Sequence, residues 1–313
     1  MLRRTIMAIA LALPLAPGCS KQGKLTEVEV PEAGVSMRYD LTPGQEYDGH
    51  IRMRNAAQTP LGDIVTVVEF DAKLVVSAKT QGGGALVRAR VDGIKLDLRL
   101  PDGVPAEAVG LTQEAATALN GKELGFDLTE LGEVSNEPEP PPDAPMESKT
   151  IFTMIASAVT AGFVRVPEQP IKDGETWDAA PRERKPGVTS MSSTGTLGGL
   201  GRNEAGEDIA KLELASEAEM ERDGQQVKMK QSTKAAFSAT GGYPVSVKRT
   251  INNEIVGKAT LLIEIEAEWA KGGKQAVEAS PPPAEVQAIT DPCDPDYVGA
   301  EECADEATPA TEG

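Results

Sequence analysis

The feature that most constrains the fold of this chain is a strand–turn–strand pattern over residues 209–237. From Ile209 to Glu221 apolar and polar residues largely alternate, which is the two-residue period of a β-strand with one buried face. Asp223-Gly224, a dipeptide common in tight hairpin turns, separates this run from a second one, Val227 to Phe237. The pattern predicts a long antiparallel hairpin.

The charges of these two runs also predict the register of the hairpin. Counting outwards from the turn places glutamates of the first strand opposite lysines of the second, in the pairs Glu219–Lys228, Glu217–Lys230 and Glu213–Lys234. Each such pair stabilises a two-stranded ladder by roughly 0.2–1 kcal/mol. The other face of the first strand carries apolar side chains, namely Leu212, Leu214, Ala218 and Met220. A slip of one residue would expose this apolar set, so the register is strongly specified.

Similar patterns recur along the chain. Ile94 to Leu100 alternates directly after Asp92-Gly93, which predicts a second hairpin whose other strand is 85–91. Leu261 to Trp269 predicts a last strand, and the glycines at 82–84 a hairpin loop. Gly198-Gly199-Leu200-Gly201 lacks the remainder of a phosphate-binding loop and is interpreted as a strand end or turn. The predicted fold class is mainly β, with large antiparallel sheets and one packed helix.

The packed helix is predicted over Met146 to Phe163. Its apolar residues recur at helical spacing, and it follows the Pro/Glu-rich linker 137–145. The predicted buried face consists of Ile151, Ile155, Ala158, Val159 and Gly162. A second, short helix is predicted over Thr112 to Leu119.

Two halves of the chain resemble each other, 35–136 and 146–270. Each contains a turn followed by an aromatic residue and Asp, at 43–48 and 173–178. Each later reaches a phenylalanine strand with a glycine turn, at 126–132 and 237–242. An internal duplication explains this likeness. Chance explains it too, because unrelated β-hairpins use similar residues in their turns and strands.

The N-terminus has the organisation of an export signal. Two arginines and an apolar run of signal-peptide length precede Gly18-Cys19, which resembles the lipobox of bacterial lipoproteins. We therefore predict a signal peptide over 1–18, lipid attachment at Cys19 and a polar tether over 19–34. Ser20 favours the outer membrane under the sorting rule of well-studied bacteria. A secreted protein without lipid is the alternative.

The C-terminal residues 271–313 are predicted to form a disordered acidic tail, because residues 276–313 contain many Asp and Glu but no Lys or Arg. The chain has three cysteines, and lipidation of Cys19 would leave Cys293 and Cys303 to form a disulfide. Two cysteines without histidine partners do not make a zinc site.

No catalytic, metal or cofactor site is predicted. The single histidine, His50, lies in a strand-like segment and is interpreted as a solvent-facing sheet residue. The formal net charge of −18 disfavours binding to nucleic acid and to anionic membrane surfaces. Membrane attachment is therefore expected to come from lipid at Cys19.

A Pro-x-x-Pro…Gly-[Asp/Glu]-x-Trp run over residues 167–177 resembles an uncharacterised family of exported bacterial lipoproteins. In this run Gly174 would permit a turn and Trp177 would anchor a strand; both are structural residues. The resemblance brings no activity with it. The function we expect is a non-enzymatic binding or structural module of the envelope with a protein partner. The alternative is a carrier or chaperone of lipid or lipoprotein, with a hydrophobic ligand in an apolar cavity between sheet and helix.

Overall fold

The computed structural model describes residues 25–59, 62–80, 83–101, 111–182, 187–222, 225–255 and 259–274. The predicted signal peptide, Cys19, Cys293 and Cys303 lie outside these residues. The described part contains one antiparallel sheet of twelve strands and two helices, which confirms the predicted fold class. In chain order the elements are β1 (Thr26–Val28), β2 (Gln45–Thr59), β3 (Gly62–Lys79), β4 (Ala85–Arg99), α1 (Gln113–Thr117), β5 (Glu123–Leu128), β6 (Val134–Ser135), α2 (Met146–Ala161), β7 (Thr176–Asp178), β8 (Val188–Arg202), β9 (Asp208–Arg222), β10 (Gln225–Ser238), β11 (Tyr243–Ile255) and β12 (Ala259–Lys274).

The strand order is β1-β8-β9-β10-β11-β12-β2-β3-β4-β5-β6, with β7 beside β8. Most neighbours are consecutive in sequence, but β12 pairs with β2 and so joins the two halves into one sheet. β1, which lies within the range predicted as a tether, pairs with β8. β12 extends past residue 270, where the acidic tail was predicted to begin.

The β9–β10 hairpin has the predicted register. All three predicted glutamate–lysine pairs lie opposite each other. The Nζ atom of Lys230 is 3.3 Å from Glu217 Oε1, and that of Lys234 is 3.5 Å from Glu213 Oε1. On the other face of β9, Leu212, Leu214 and Ala218 are buried.

The hairpin turn predicted at Asp92-Gly93 is wrong, because β4 runs through both residues. Gly93 has φ 66°, and the ladder with β3 shifts register between Glu69–Lys95 and Asp71–Asp92. A glycine in the left-handed region suits a β-bulge as well as a two-residue turn, so the dipeptide alone does not distinguish them. Gly199, with φ 115°, likewise lies at a bulge inside β8 rather than at a strand end or turn.

The helix α2 buries the face that its sequence predicts. Ile151, Ile155, Ala158 and Val159 are all buried. At its C-terminal end, a Cβ atom on Gly162 would lie 2.9 Å from the Trp269 ring, so the missing side chain permits close packing. The helix ends two residues before its predicted limit, since Gly162 is its C-cap.

The shorter helix α1 lies against an edge of β4 that β5 does not cover. Its Gln113 side chain accepts a hydrogen bond from Leu96 N at 2.8 Å and donates one to Ile94 O at 3.0 Å. The side-chain amide thus takes the place of a neighbouring strand and satisfies backbone groups of this edge.

The two segments that suggested a duplication play different parts in the sheet. Residues 43–48 lead into β2, a strand of 15 residues, whereas 173–178 lead into β7, a strand of three residues. Gly44 and Gly174 both have positive φ, 83° and 72°. A shared need for a turn glycine therefore accounts for this part of the likeness.

The core lies on the sheet face that is covered by α2 and by two segments without regular structure, 35–41 and 163–171. Tyr39 ties these segments together, because its hydroxyl donates to Val164 O and accepts from Val164 N, both at 3.0 Å. Burial raises the pKa of Tyr39 well above its ordinary value. Between Tyr39, Phe163 and Trp269 the free volume is only ≈ 20 Å³, so the core beneath these rings is filled.

Candidate functional site

A groove opens beside α2, where the sheet face is not covered. It has a volume of ≈ 1090 Å³, which is slightly above the range of about 300–1,000 Å³ that is typical of ligand pockets. Its floor is formed by core-facing residues of β2, β11 and β12, namely Met53, Arg249, Ile251, Ile263 and Ile265. Ile251 and Ile263 are half-buried, so apolar surface is left open to solvent.

One wall of the groove is the polar side of α2, and the other is the segment 132–140. Thr153 Oγ1 donates to Lys149 O at 2.9 Å, and Thr160 Oγ1 donates to Ala156 O at 3.0 Å. Because the helix backbone takes these protons, the threonines have no hydroxyl proton left to donate to a ligand.

Arg249 is the charged residue of the groove floor. It lies in register with Thr233 of β10 and Ile265 of β12. Its Nη2 atom donates to Phe163 O at 2.9 Å, just beyond the end of α2. Its Nε atom is buried and has no hydrogen-bond partner, and no carboxylate of the described residues forms an ion pair with it. Burial lowers the pKa of Arg249 to about 10, so the group is charged at neutral pH.

A second arginine at the groove, Arg165, is neutralised. Its Nε atom is 3.1 Å from Glu133 Oε1, and its Nη2 atom is 3.1 Å from Glu168 Oε1. Glu168 also contacts Arg182 at 2.7 Å, and this hydrogen bond is the main reason why the pKa of Glu168 is lowered. Arg165 is therefore paired with carboxylates, which Arg249 is not, although the buried Nε atoms of both arginines have no hydrogen-bond partner.

A mostly apolar row of residues, whose one polar member is Asn253, continues the floor across the sheet beyond the groove. One residue row on the same face runs through β8, β9, β10, β11, β12 and β2, and consists of Met191, Ala218, Met229, Asn253, Leu261 and Ala57. Met191, Met229 and Leu261 are half-buried. The row includes Asn253, two residues after Ile251 in β11, and Leu261, two residues before Ile263 in β12. It therefore forms a surface adjacent to the groove floor.

The opposite face of the sheet is charged. His50 is exposed, as predicted, and its Nδ1 atom is 2.9 Å from Asp71 Oδ1. The described residues around the ≈ 490 Å³ recess beside His50 include no serine, threonine or cysteine that could act as a nucleophile. Within the described ranges, no group of three or more His, Cys, Asp or Glu could hold a metal ion.

The two structural residues predicted from sequence lie at the β7 edge. Gly174 has φ 72° and donates its N–H to Leu197 O at 2.8 Å, which fits the predicted turn. The ring of Trp177 covers Gly195 of β8, where a Cβ atom would overlap it. Trp177 lines a recess of ≈ 780 Å³ that shares Arg165 with the groove.

Arg249 is not among the residues predicted from the sequence, although the sequence carries a signal for it. In the run Val247 to Ile251, Arg249 occupies the apolar phase of the strand, where a charged residue is unexpected. A charge at a core-facing position of an alternating strand is thus a signal for a buried site.

Among the described residues, no helix is long and apolar enough to cross a membrane. No protein-family model matches the chain, and no curated protein matches its sequence. Among solved structures, the chain is similar to lipovitellin, described in a study of lipid–protein interactions, with a TM-score of 0.45 and 12% identity over 79% of this chain. The chain spans 27% of that protein.

Two further similarities are to DynF from the dynemicin biosynthesis pathway of Micromonospora chersina and to an outer membrane channel of Pseudomonas putida F1. The first has a TM-score of 0.21 and 10% identity, and covers 82% of this chain and 94% of that one. The second has a TM-score of 0.22 and 8% identity, and covers 78% of this chain and all of that one, 100%. TM-scores this low carry no argument about function.

Proposed function

We propose that this protein is a lipid-anchored lipoprotein of the bacterial cell envelope that binds the apolar chain of a lipid or lipoprotein in the groove beside α2. The observation that carries the proposal is the groove itself, whose floor exposes Ile251 and Ile263 next to a filled core. Contiguous open apolar surface in a concave site is typical of a binding site.

The groove differs from the cavity expected on sequence grounds. That expectation was an apolar cavity between sheet and helix, whereas the space beneath Tyr39, Phe163 and Trp269 is filled. The apolar surface lies beside the helix and is open along one side. Such a site suits a chain that enters and leaves from the side, as transfer between membranes or partners requires.

The anchor part of the proposal rests on Cys19 and is tested by fractionation. In the Cys19→Ala variant of the full chain we expect the protein to leave the membrane fraction, because the lipid supplies the attachment. Unchanged partition into membranes would contradict the anchor without affecting the groove.

The binding part is tested with the Cys19→Ala chain, purified without detergent and analysed by native mass spectrometry for co-purified lipid. Ile251→Arg should abolish lipid binding, because it places a charge on the groove floor. The matched control is Thr250→Arg, the next residue of β11, whose side chain is exposed on the charged face. Loss of lipid in both variants, or in neither, would contradict the proposal. A co-purified peptide displaced by Ile251→Arg would instead assign the groove to a protein partner.

A further inference from the structure

We infer that the groove selects an acyl-chain lipid with an anionic head group, and that Arg249 binds this head group. The inference rests on the proposed function and deepens it, because it names the chemistry of the ligand. The head group would lie against the guanidinium, and the chain would extend over Ile251 and Ile263 towards Met229 and the neighbouring residues of its row.

The first support is the incomplete hydrogen bonding of Arg249. A guanidinium has five N–H donors, and burying it without partners costs free energy. In Arg249, Nη2 donates to Phe163 O, while the buried Nε has no hydrogen-bond partner. A carboxylate or a phosphate accepts two parallel hydrogen bonds from a guanidinium and would supply what is missing.

Capping of the α2 C-terminus is the simpler role of Arg249, and it explains only part of the geometry. A cation near the last carbonyls of a helix is favourable, and the bond to Phe163 O fits this role. Capping does not require the position on the groove floor, nor does it use Nε. The cap instead holds the guanidinium in place, which reduces the entropy lost when an anion binds.

The charges around the groove single out Arg249 as the anion site. Arg165 is already paired with Glu133 and Glu168. The other carboxylates that line the groove, Glu137 and Glu139, lie on the segment 132–140 and are exposed. Water screens charges on an exposed segment, whereas the desolvated guanidinium on the floor is screened much less.

The row of residues from Met191 to Ala57 indicates where the rest of the ligand would lie. Beyond Arg249 the floor offers Ile251 and Ile263, followed by Leu261 and Met229. Methionine side chains are flexible and polarizable, so they adapt to chains of different length and shape. A polar head at one end and an adaptable apolar surface beyond it match an amphiphile better than a wholly apolar ligand.

The experiment measures the affinity of the Cys19→Ala chain for palmitate, lysophosphatidic acid and hexadecanol, each below the concentration at which it aggregates. We expect at least one anionic ligand to bind about tenfold or more tightly than hexadecanol. The stronger of the two identifies carboxylate or phosphate as the head group. Arg249→Gln should bring the affinities for the anionic ligands and for hexadecanol to within about twofold of each other, and Arg249→Lys should retain part of the difference.

A chemical readout avoids dependence on variants that fail to fold. Phenylglyoxal modifies arginine side chains, and peptide mass spectrometry reports the rate at each residue. The preferred anionic ligand should slow modification of Arg249 in the Cys19→Ala chain, while hexadecanol should not. Equal affinity for anionic and neutral ligands, or equal protection by both, would overturn the inference while the proposed function stands. Binding of none of the three ligands would contradict the proposed function as well.

Discussion

Two neighbouring parts of the same sheet face are built differently. Beneath Tyr39, Phe163 and Trp269, aromatic rings leave ≈ 20 Å³ of free volume, whereas beside α2 an open groove of ≈ 1090 Å³ remains. The helix has 16 residues, which gives it a length of about 24 Å, while β3 has 18 residues and is about 60 Å long. One helix cannot cover so large a face, and the uncovered part becomes available to a ligand.

The side chains of the two parts differ accordingly. In the covered part, large rings lie on glycines: Trp269 packs on Gly49 and against Gly162. In the open part, the floor contains two half-buried isoleucines, Ile251 and Ile263, beside the buried Met53 and Ile265 and the charged Arg249. Close packing thus limits which side chains fit in the covered part, whereas the side chains of the groove floor are held in place mainly by the pairing of their strands.

The largest expected effect comes from removing the ring that fills the covered part. Trp269→Ala should lower the free energy of unfolding by about 3–5 kcal/mol, because a cavity replaces a large buried side chain. Ile251→Ala in the open groove should cost much less, because its side chain already has solvent access. Urea denaturation followed by far-UV circular dichroism compares the two variants. Similar losses for both would mean that the groove is packed like the core.

How far the sequence predicts these parts depends on the range of the interactions. The β9–β10 register could be predicted because glutamate–lysine pairs and an alternating face are encoded within one hairpin. The turn at Asp92-Gly93 could not be told from a bulge, because both use a glycine with positive φ. The groove was not predictable, since it depends on which strands α2 reaches after the chain has folded. Arg249 can be recognised in the sequence only as a charged residue at a position that the strand alternation assigns to the apolar face.

An intermediate effect is expected from filling the space that a glycine leaves for Trp269. Gly49→Ala should lower the free energy of unfolding by about 1–3 kcal/mol, because the new Cβ atom overlaps the ring and the core is already full. Gly273→Ala is the matched control, since nothing lies within 4 Å of a Cβ atom at this exposed position of β12. Equal losses for the two substitutions, measured by thermal unfolding, would contradict overpacking as the cause, because replacing a glycine without positive φ by alanine in itself favours the folded state.

The smallest expected effect is a pH dependence of the free energy of unfolding, which we expect in the covered part and not in the groove. Asp40 lies at the rim of the covered part, and Lys271 Nζ is 2.9 Å from its Oδ2 atom. Burial raises the pKa of Asp40, but hydrogen bonds from Thr42 and Lys271 outweigh it and lower the pKa below its ordinary value. The stabilisation is therefore present above the unfolded pKa of about 4 and is lost as pH falls through the folded pKa.

Asp40→Asn should accordingly reduce the free energy of unfolding by about 1 kcal/mol or less at pH 7, because the pair is partly exposed and solvent screens it. The difference between the wild-type chain and the variant should shrink as the pH is lowered below 4, and urea denaturation at several pH values measures it. Ligand binding in the groove should not change with the titration of Asp40, since Arg249 remains charged throughout this pH range. The carboxylate of palmitate is itself protonated at low pH, so the probe for this measurement is an alkyl sulfate of equal chain length. A parallel loss of both properties would show that the rim of the covered part also controls the groove.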